Sequence, residues 1–430
     1  MPFNGKPQVL VLGANFGGLT VSRFIRDRCG EAVDITVIDR KPTLIFVPNI
    51  PIEVLANNNP APKLHLNVPP ILEKDDTVFI QAEIDEIDLQ RREVSYRPNE
   101  RPGAAGEKIG YDYLVIAMGA RLAYDRIQGF GQFGHTVSDG YYGNKLRRYL
   151  HEGGYKGGPI AIGSARFHQG SRGKPDWLPD SESACEGPPL ELALGLATWL
   201  GDRGLGGPEK ITLFTPADMI AIDAGEEIMQ QFLEMASQMG YGYVHSTQDI
   251  SRLTQDGIEF ANGDSVEAEV KIVFPDWVAH DQLRDLPIAD EQGFIVTDLK
   301  MRCPDDPNVF AVGDCAALTV PKLGAHGHQQ AEIVADQIGA DLGKVSGEAT
   351  ERTFWPEIIC IGEMGHHRAF YIHSDAWYGG DVSVFKMGYL YYALKLAFKE
   401  MYFMTGGKPP QWGVPVTELV AERRLDSSKA

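Results

Sequence analysis

The sequence predicts an α/β fold of two Rossmann-like units followed by a C-terminal membrane-associating region. Three observations predict it: a glycine turn between an early strand and helix, a second strand and helix in mid-chain that lack such a turn, and an aromatic stretch punctuated by lysines near the end. At 430 residues the chain has room for two or three domains. Its 43% hydrophobic content suits a sizeable core. A net charge of −19 argues against a nucleic-acid partner, since phosphate binding needs clustered Lys and Arg. Five dispersed cysteines do not form a secreted disulfide framework, though single ones can be catalytic. The first residues lack the basic segment and cleavage site of a leader, so a cytoplasmic chain is expected. No metal-ligating set is expected.

The first unit begins with the apolar run Gln8 to Leu12. Gly13-Ala14-Asn15-Phe16-Gly17-Gly18 follows, then a helical pattern through Leu19, Val21, Phe24 and Ile25. A second apolar run, Ile35 to Ile38, ends at Asp39. Strand, glycine turn, helix, strand and terminal acid is the order that cradles a pyrophosphate and holds a ribose hydroxyl. Asn15 stands where the middle glycine is usual, and it is expected to take a left-handed conformation, which Asn tolerates. Tyr113 to Ala120 reads as a buried strand closed by Gly119, and Asn308 to Asp314 as another ending in Gly313-Asp314. Together these pieces predict FAD, with Gly13, Asn15, Phe16, Gly18, Asp39, Gly119, Gly313 and Asp314 as its contacts. The fold expected is therefore two Rossmann-like dinucleotide-binding domains, the FAD/NAD(P)-binding flavoprotein fold.

In mid-chain the strand Pro159 to Ile162 leads into Gly163-Ser-Ala-Arg-Phe-His-Gln-Gly170, with no compact fingerprint. A polar insertion, Ser171 to Pro179, delays the helix, and the next strand, Ile211 to Phe214, ends without a ribose acid. NADH binding is disfavoured. The delayed helix starts at Ser183-Ala184-Cys185-Glu186-Gly187-Pro188. A cysteine at a helix N-terminus has its thiolate favoured by the dipole and free amides. Glu191 follows on that helix. Cys360 lies in the strand-like run Pro356 to Met364.

The SACEGP segment at Cys185, IGSARFHQG before it, TVPKLG at Thr319 to Gly324, WYGGDVSV at Trp377 to Val384 and the context of Cys360 resemble the sulfide:quinone oxidoreductases. The resemblance runs from Gly13 to about Gly407. It implies that Cys185 and Cys360 form a redox bridge beside the flavin. Hydrosulfide would open it, leaving a persulfide on Cys185 and a Cys360 thiolate that reduces the flavin. A low thiol pKa, expected for Cys185 from its helix end, would help. A third family cysteine is replaced here by Ser138, so FAD is expected non-covalent. The resemblance gives Lys322 a place near the flavin. Glu191, on the helix behind Cys185, is a candidate for proton handling, or only forms a helix salt bridge. His326 and His328 are candidates for quinone protonation, or only begin a helix through Val334.

From Phe385 to Met404 aromatic residues are dense, and Lys386, Lys395 and Lys399 recur, so the stretch cannot span a bilayer. It reads as an interfacial helix with its lysines snorkelling. From Lys386 onward seven basic and four acidic residues give a local +3, suited to an anionic leaflet. The resemblance implies an aromatic residue near the end of this stretch against the quinone ring, Phe403 first and Tyr402 next, with Ile361 beside Cys360 as the other wall. The expected partners are sulfide, a membrane quinone and the bilayer surface, and a homo-oligomer is compatible with this reading. The domains expected are 1–130 with 285–345 for FAD, 131–284 for the degenerate second unit, and 346–430 facing membrane and quinone. The rivals are a type II NADH:quinone oxidoreductase and a non-catalytic FAD-binding redox sensor.

Overall fold

A computed structural model describes residues 5–100 and 106–408. Its largest element is an eight-stranded sheet. Gln8–Leu12 lies at the centre, parallel to Asp34–Asp39 on one side and Tyr113–Ile116 on the other. These strands read as apolar runs because helices cover them, and Val9 to Leu12 are fully buried. Asp306–Ala311 adds parallel to Tyr113–Ile116, so the late Gly-Asp segment arrives beside the first glycine turn. Beyond Asp34–Asp39 the sheet continues through Val78–Asp88 into an antiparallel meander. The helices Phe16–Cys29 and Gly324–Asp341 pack tightly on each other. The latter runs seven residues past Val334, the expected end.

A second, five-stranded parallel sheet draws its strands from residues 134–274, with Ile160–Ser164 in the middle. From Ala165 to Glu186 the chain is irregular before the helix Gly187–Asp202 starts. This insertion is fastened to the first unit. The Ser181 amide donates to Thr319 O (3.0 Å), and the Lys322 amide to Ala184 O (2.7 Å).

The C-terminal part is a three-stranded antiparallel sheet, Ile358–Gly365, Arg368–Ser374 and Ser383–Gly388. The helix Tyr389–Met404 packs against it. That helix starts four residues later than Phe385, because Phe385, Lys386 and Met387 pair with Ile372, Tyr371 and Phe370. Gly388 then makes the break, at φ +155°. Among the described residues no helix is long and apolar enough to cross a membrane. Arg423, Arg424 and Lys429, counted toward the local positive charge, lie outside the described residues.

Candidate active site

The first turn owes its shape to contacts that only glycine permits. Gly13 has φ +102°, and a Cβ there would stand 2.2 Å from Ala117 O. A Cβ on Gly18 would stand 1.9 Å from Gly13 O, so the helix could not sit so close to the turn. Asn15 is not left-handed. It lies at φ −87°, ψ −160° as the N-cap, its side chain accepting from the Phe16 amide at 3.1 Å. Gly13 has already turned the chain, so capping is what Asn15 contributes. Asp39 Oδ2 accepts from the Ala14 amide at 2.7 Å and Oδ1 from Lys41 at 2.8 Å, which ties the acid to the turn.

A cleft of about 1230 Å³ opens here, lined among others by Gly13, Asn15, Asp39, Met118, Ala120 and Ser138. It exceeds the usual size of small-ligand pockets and suits a dinucleotide. Gly119, at φ +67°, leaves room beside the Asp314 carboxylate, 4.0 Å from where a Cβ would be. Burial pushes Asp314 up to about 6, against the pull of Lys322. The Gly313 amide is already taken by Gln330 Oε1 at 2.7 Å. Lys322 is buried, its ammonium donating to Ala316 O (3.0 Å) and Leu318 O (3.3 Å) above the rings of Phe294 and Phe167. These residues fit FAD: glycines under the phosphates, an acid at the ribose position, and a buried acid and cation where the other half of the dinucleotide would lie. Phe16 lies against Phe46, His328 and Tyr402.

The two sulfur residues come from different layers. Cys185 ends the insertion two residues before Gly187–Asp202, and Cys360 lies in Ile358–Gly365, the strand that this helix packs on. A Cβ on Gly187 would stand 3.0 Å from Cys360 Sγ, so the cysteine strand meets the helix N-terminus itself. The Cys185 thiol is nonetheless not acidic. Burial pushes it well up, Cys360 and Asp223 add to that, and the Gly187 amide opposes them. The helix end is present, but desolvation and neighbouring negative groups outweigh it. Burial likewise pushes Cys360 up to about 12, with Lys395 pulling it down.

Behind Cys360 lies a buried ion pair. Lys395 Nζ donates to Glu191 Oε1 at 2.5 Å and to Ile361 O at 2.9 Å, and Glu191 also accepts from the Glu363 amide at 3.1 Å. Lys395 therefore does not snorkel; it points inward from the C-terminal helix. Glu363, beside this pair, is pushed by burial up to about 7. Ile361 packs with Tyr371, Tyr391 and Leu394. Tyr402 and Phe403 lie against Phe46, in a different packing cluster from Ile361. His326 is buried with its ring nitrogens at Pro321 O and Glu357 O, and His328 bonds Thr20 Oγ1 at 2.7 Å.

Sequence reasoning missed Glu186, Asp223, Glu363 and the inward role of Lys395. Glu186 was visible in SACEGP as the neighbour of Cys185. Asp223 had no local signal.

Residues 7–174 match the model of the pyridine nucleotide-disulphide oxidoreductases. The sulfide-quinone reductase of Aquifex aeolicus is 23% identical over 96% of this chain and 94% of its own. The crystal structure of the Aquifex aeolicus sulfide:quinone oxidoreductase superposes with a TM-score of 0.81 at 22% identity, covering 96% of this chain and 95% of that one. The fold is that of a pyridine nucleotide-disulphide oxidoreductase. A Plasmodium falciparum NDH2 structure, in complex with NADH, shares it less closely, with a TM-score of 0.65 at 12% identity over 94% of this chain and 97% of that one. In the chain described here the corresponding second turn has no glycine fingerprint, and Thr215 follows the strand Ile211–Phe214 where a ribose acid would be needed.

Proposed function

We propose that this chain is an FAD-dependent sulfide:quinone oxidoreductase that oxidises sulfide to sulfane sulfur through Cys185 and Cys360. The observation that carries the proposal is the meeting of Cys360 Sγ with the helix N-terminus that follows Cys185. Two sulfurs from distant segments at one helix end suit thiol–disulfide exchange. Hydrosulfide attacks the Cys185 sulfur of the oxidised pair, the bond to Cys360 breaks, and the electron pair leaves on Cys360. Bound FAD, held by Gly13, Gly18, Asp39, Gly119, Asp314 and Lys322, would supply the two-electron acceptor that links the cysteines to the quinone.

The chain's own residues set the conditions for that exchange. Lys395 stabilises negative charge on Cys360, whose thiol burial otherwise holds protonated. Glu191 fixes Lys395, and Glu363, on the same strand as Cys360, carries a proton near neutrality. On the C-terminal helix, Phe398 lies about 4.5 Å along the axis from Lys395 and Phe403 about 12 Å. Phe398 is 37% exposed. Phe398, Tyr402 and Phe403 all lie against Phe46 and together offer the aromatic surface that a quinone ring would meet. Tyr389 (69% exposed) and Met404 (86%) lie on the same helix and suit contact with the bilayer surface from which a quinone would enter.

An anaerobic titration of the flavoprotein tests this. Sulfide should bleach the flavin, a quinone analogue should restore it, and Cys185→Ser and Cys360→Ser should each abolish the bleaching. Bleaching by NADH instead would overturn the proposal in favour of an NADH:quinone oxidoreductase, and a flavin indifferent to both would favour a redox sensor.

A further inference from the structure

Residues 221–225 reach the cysteine site through Glu186, the neighbour of Cys185. Ala221 holds φ +51°, a left-handed conformation that strains a residue with a side chain. Glu186 keeps it there, accepting from the Ala221 amide at 2.5 Å. The short turn Ile222–Ala224 follows and packs against the turn Ala376–Tyr378 and the strand Arg368–Ser374. Its exit is close-fitting, since a Cβ on Gly225 would stand 3.2 Å from Ser374 Oγ. The charge on Asp223, in the middle of this turn, acts on Cys185, Cys360, Glu186 and Tyr378. Among the described residues no Lys, Arg or His acts on its carboxyl, which meets only amides of its own turn. A strained and clamped loop thus delivers a carboxylate without a counter-charge to the sulfur pair.

We propose that Asp223 accepts the proton released when sulfide reacts at Cys185 and Cys360, with Glu186 as the second carboxyl of the relay. The inference rests on the sulfide reading above. Hydrosulfide forms a bond to Cys185 Sγ, the Cys185–Cys360 bond breaks, and its electron pair leaves on Cys360. The proton still on the incoming sulfur passes to the Asp223 carboxylate. Hydrosulfide and carboxylate, two negative charges, become a persulfide anion, a thiolate and a neutral acid, again with two. Without that transfer, the Asp223 carboxylate would keep its charge and repel the new Cys360 thiolate. Burial pushes Asp223 up to about 6 and Glu186 up to about 7, where each can take a proton and return it near neutrality. The other groups facing the sulfurs are the Gly187 amide at Cys185, and Lys395 and Glu191 at Cys360.

The test uses the flavin-loaded protein and sodium sulfide. Asp223→Asn should slow anaerobic flavin bleaching by about 10²-fold near neutrality. The ratio of wild-type to variant rate should fall toward one as the pH drops through the titration of Asp223, and the titration of sulfide itself cancels in that ratio. Reoxidation by a quinone analogue should be unchanged. Asp223→Glu, which keeps a carboxyl, should recover part of the rate with a displaced pH profile, and it carries the test if the Asn variant loses flavin. In the reduced protein, Asp223→Asn should also move the pH midpoint of cysteine alkylation by iodoacetamide downward, because a nearby negative charge is gone. A rate ratio that does not vary with pH, or an unmoved alkylation midpoint, would overturn the assignment while leaving the sulfide reading intact. A wild-type protein that sulfide does not bleach would sink both, with the alkylation shift then reporting only where Asp223 lies.

Discussion

Lys395 of the C-terminal helix and Glu191 of the cysteine helix form a salt bridge at 2.5 Å, with side chains 5% and 7% exposed. The lysine's ammonium is shared with Ile361 O, next to Cys360, so the bridge joins the outermost helix to the sulfur site. Breaking such a pair leaves a buried charge unpaired. Lys395→Met should therefore destabilise the protein by about 3–5 kcal/mol in urea unfolding, and the double variant with Glu191→Gln should recover most of that. Cys360 should also alkylate more slowly in Lys395→Met, because the one cation opposing its raised pKa is lost.

His135 gives an acid-side prediction. Burial, with Lys145 and Lys271 nearby, pushes it down to about 3, and its Nδ1 has no hydrogen-bond partner. Between the ordinary value of 6.5 and about 3, the unfolded chain binds a proton that the folded one does not. Stability should be fully present above 6.5 and fall with pH in that window, by at most about 1.4 kcal/mol per pH unit from this residue. His135→Phe should flatten that part of the pH–stability curve.

Gly18 and Asp39 should separate fold from cofactor. Gly18→Ala drives a Cβ into Gly13 O, backbone against backbone, and should lower both melting temperature and flavin content. Asp39→Ala only frees the Ala14 and Lys41 amides and should weaken flavin retention by roughly tenfold while the chain stays folded. Flavin-to-protein ratios after gel filtration, read beside thermal melts, distinguish the two.

The proposed membrane face can be tested by sedimentation with anionic vesicles. Replacing Tyr389, Phe398 and Met404 together by Ser should weaken binding at all salt concentrations, because apolar contact is lost. Neutralising Lys386 and Lys399 should weaken it mainly at low salt. Equal binding by all variants would exclude this helix as the contact.

What the sequence determined by itself is local or periodic. The strand–glycine–helix–strand–acid order around Gly13 and Asp39, the second strand at Ile160–Ser164 without a fingerprint, and the helix following Cys185 are each set by neighbouring residues, and the structure contains them. Asn15 and the helix start at Tyr389 were misread for local reasons. A preceding glycine had already made the turn at Asn15, and sheet pairing outweighed helical periodicity over Phe385–Met387. What only the tertiary structure decided depends on which charges share a desolvated space. Glu191 meets Lys395 across 204 residues, and the Ala221 amide meets Glu186 across 35. Helix-end electrostatics can be read from Cys185 and its neighbours. The burial and the Asp223 charge that outweigh them come from segments whose approach no local pattern encodes.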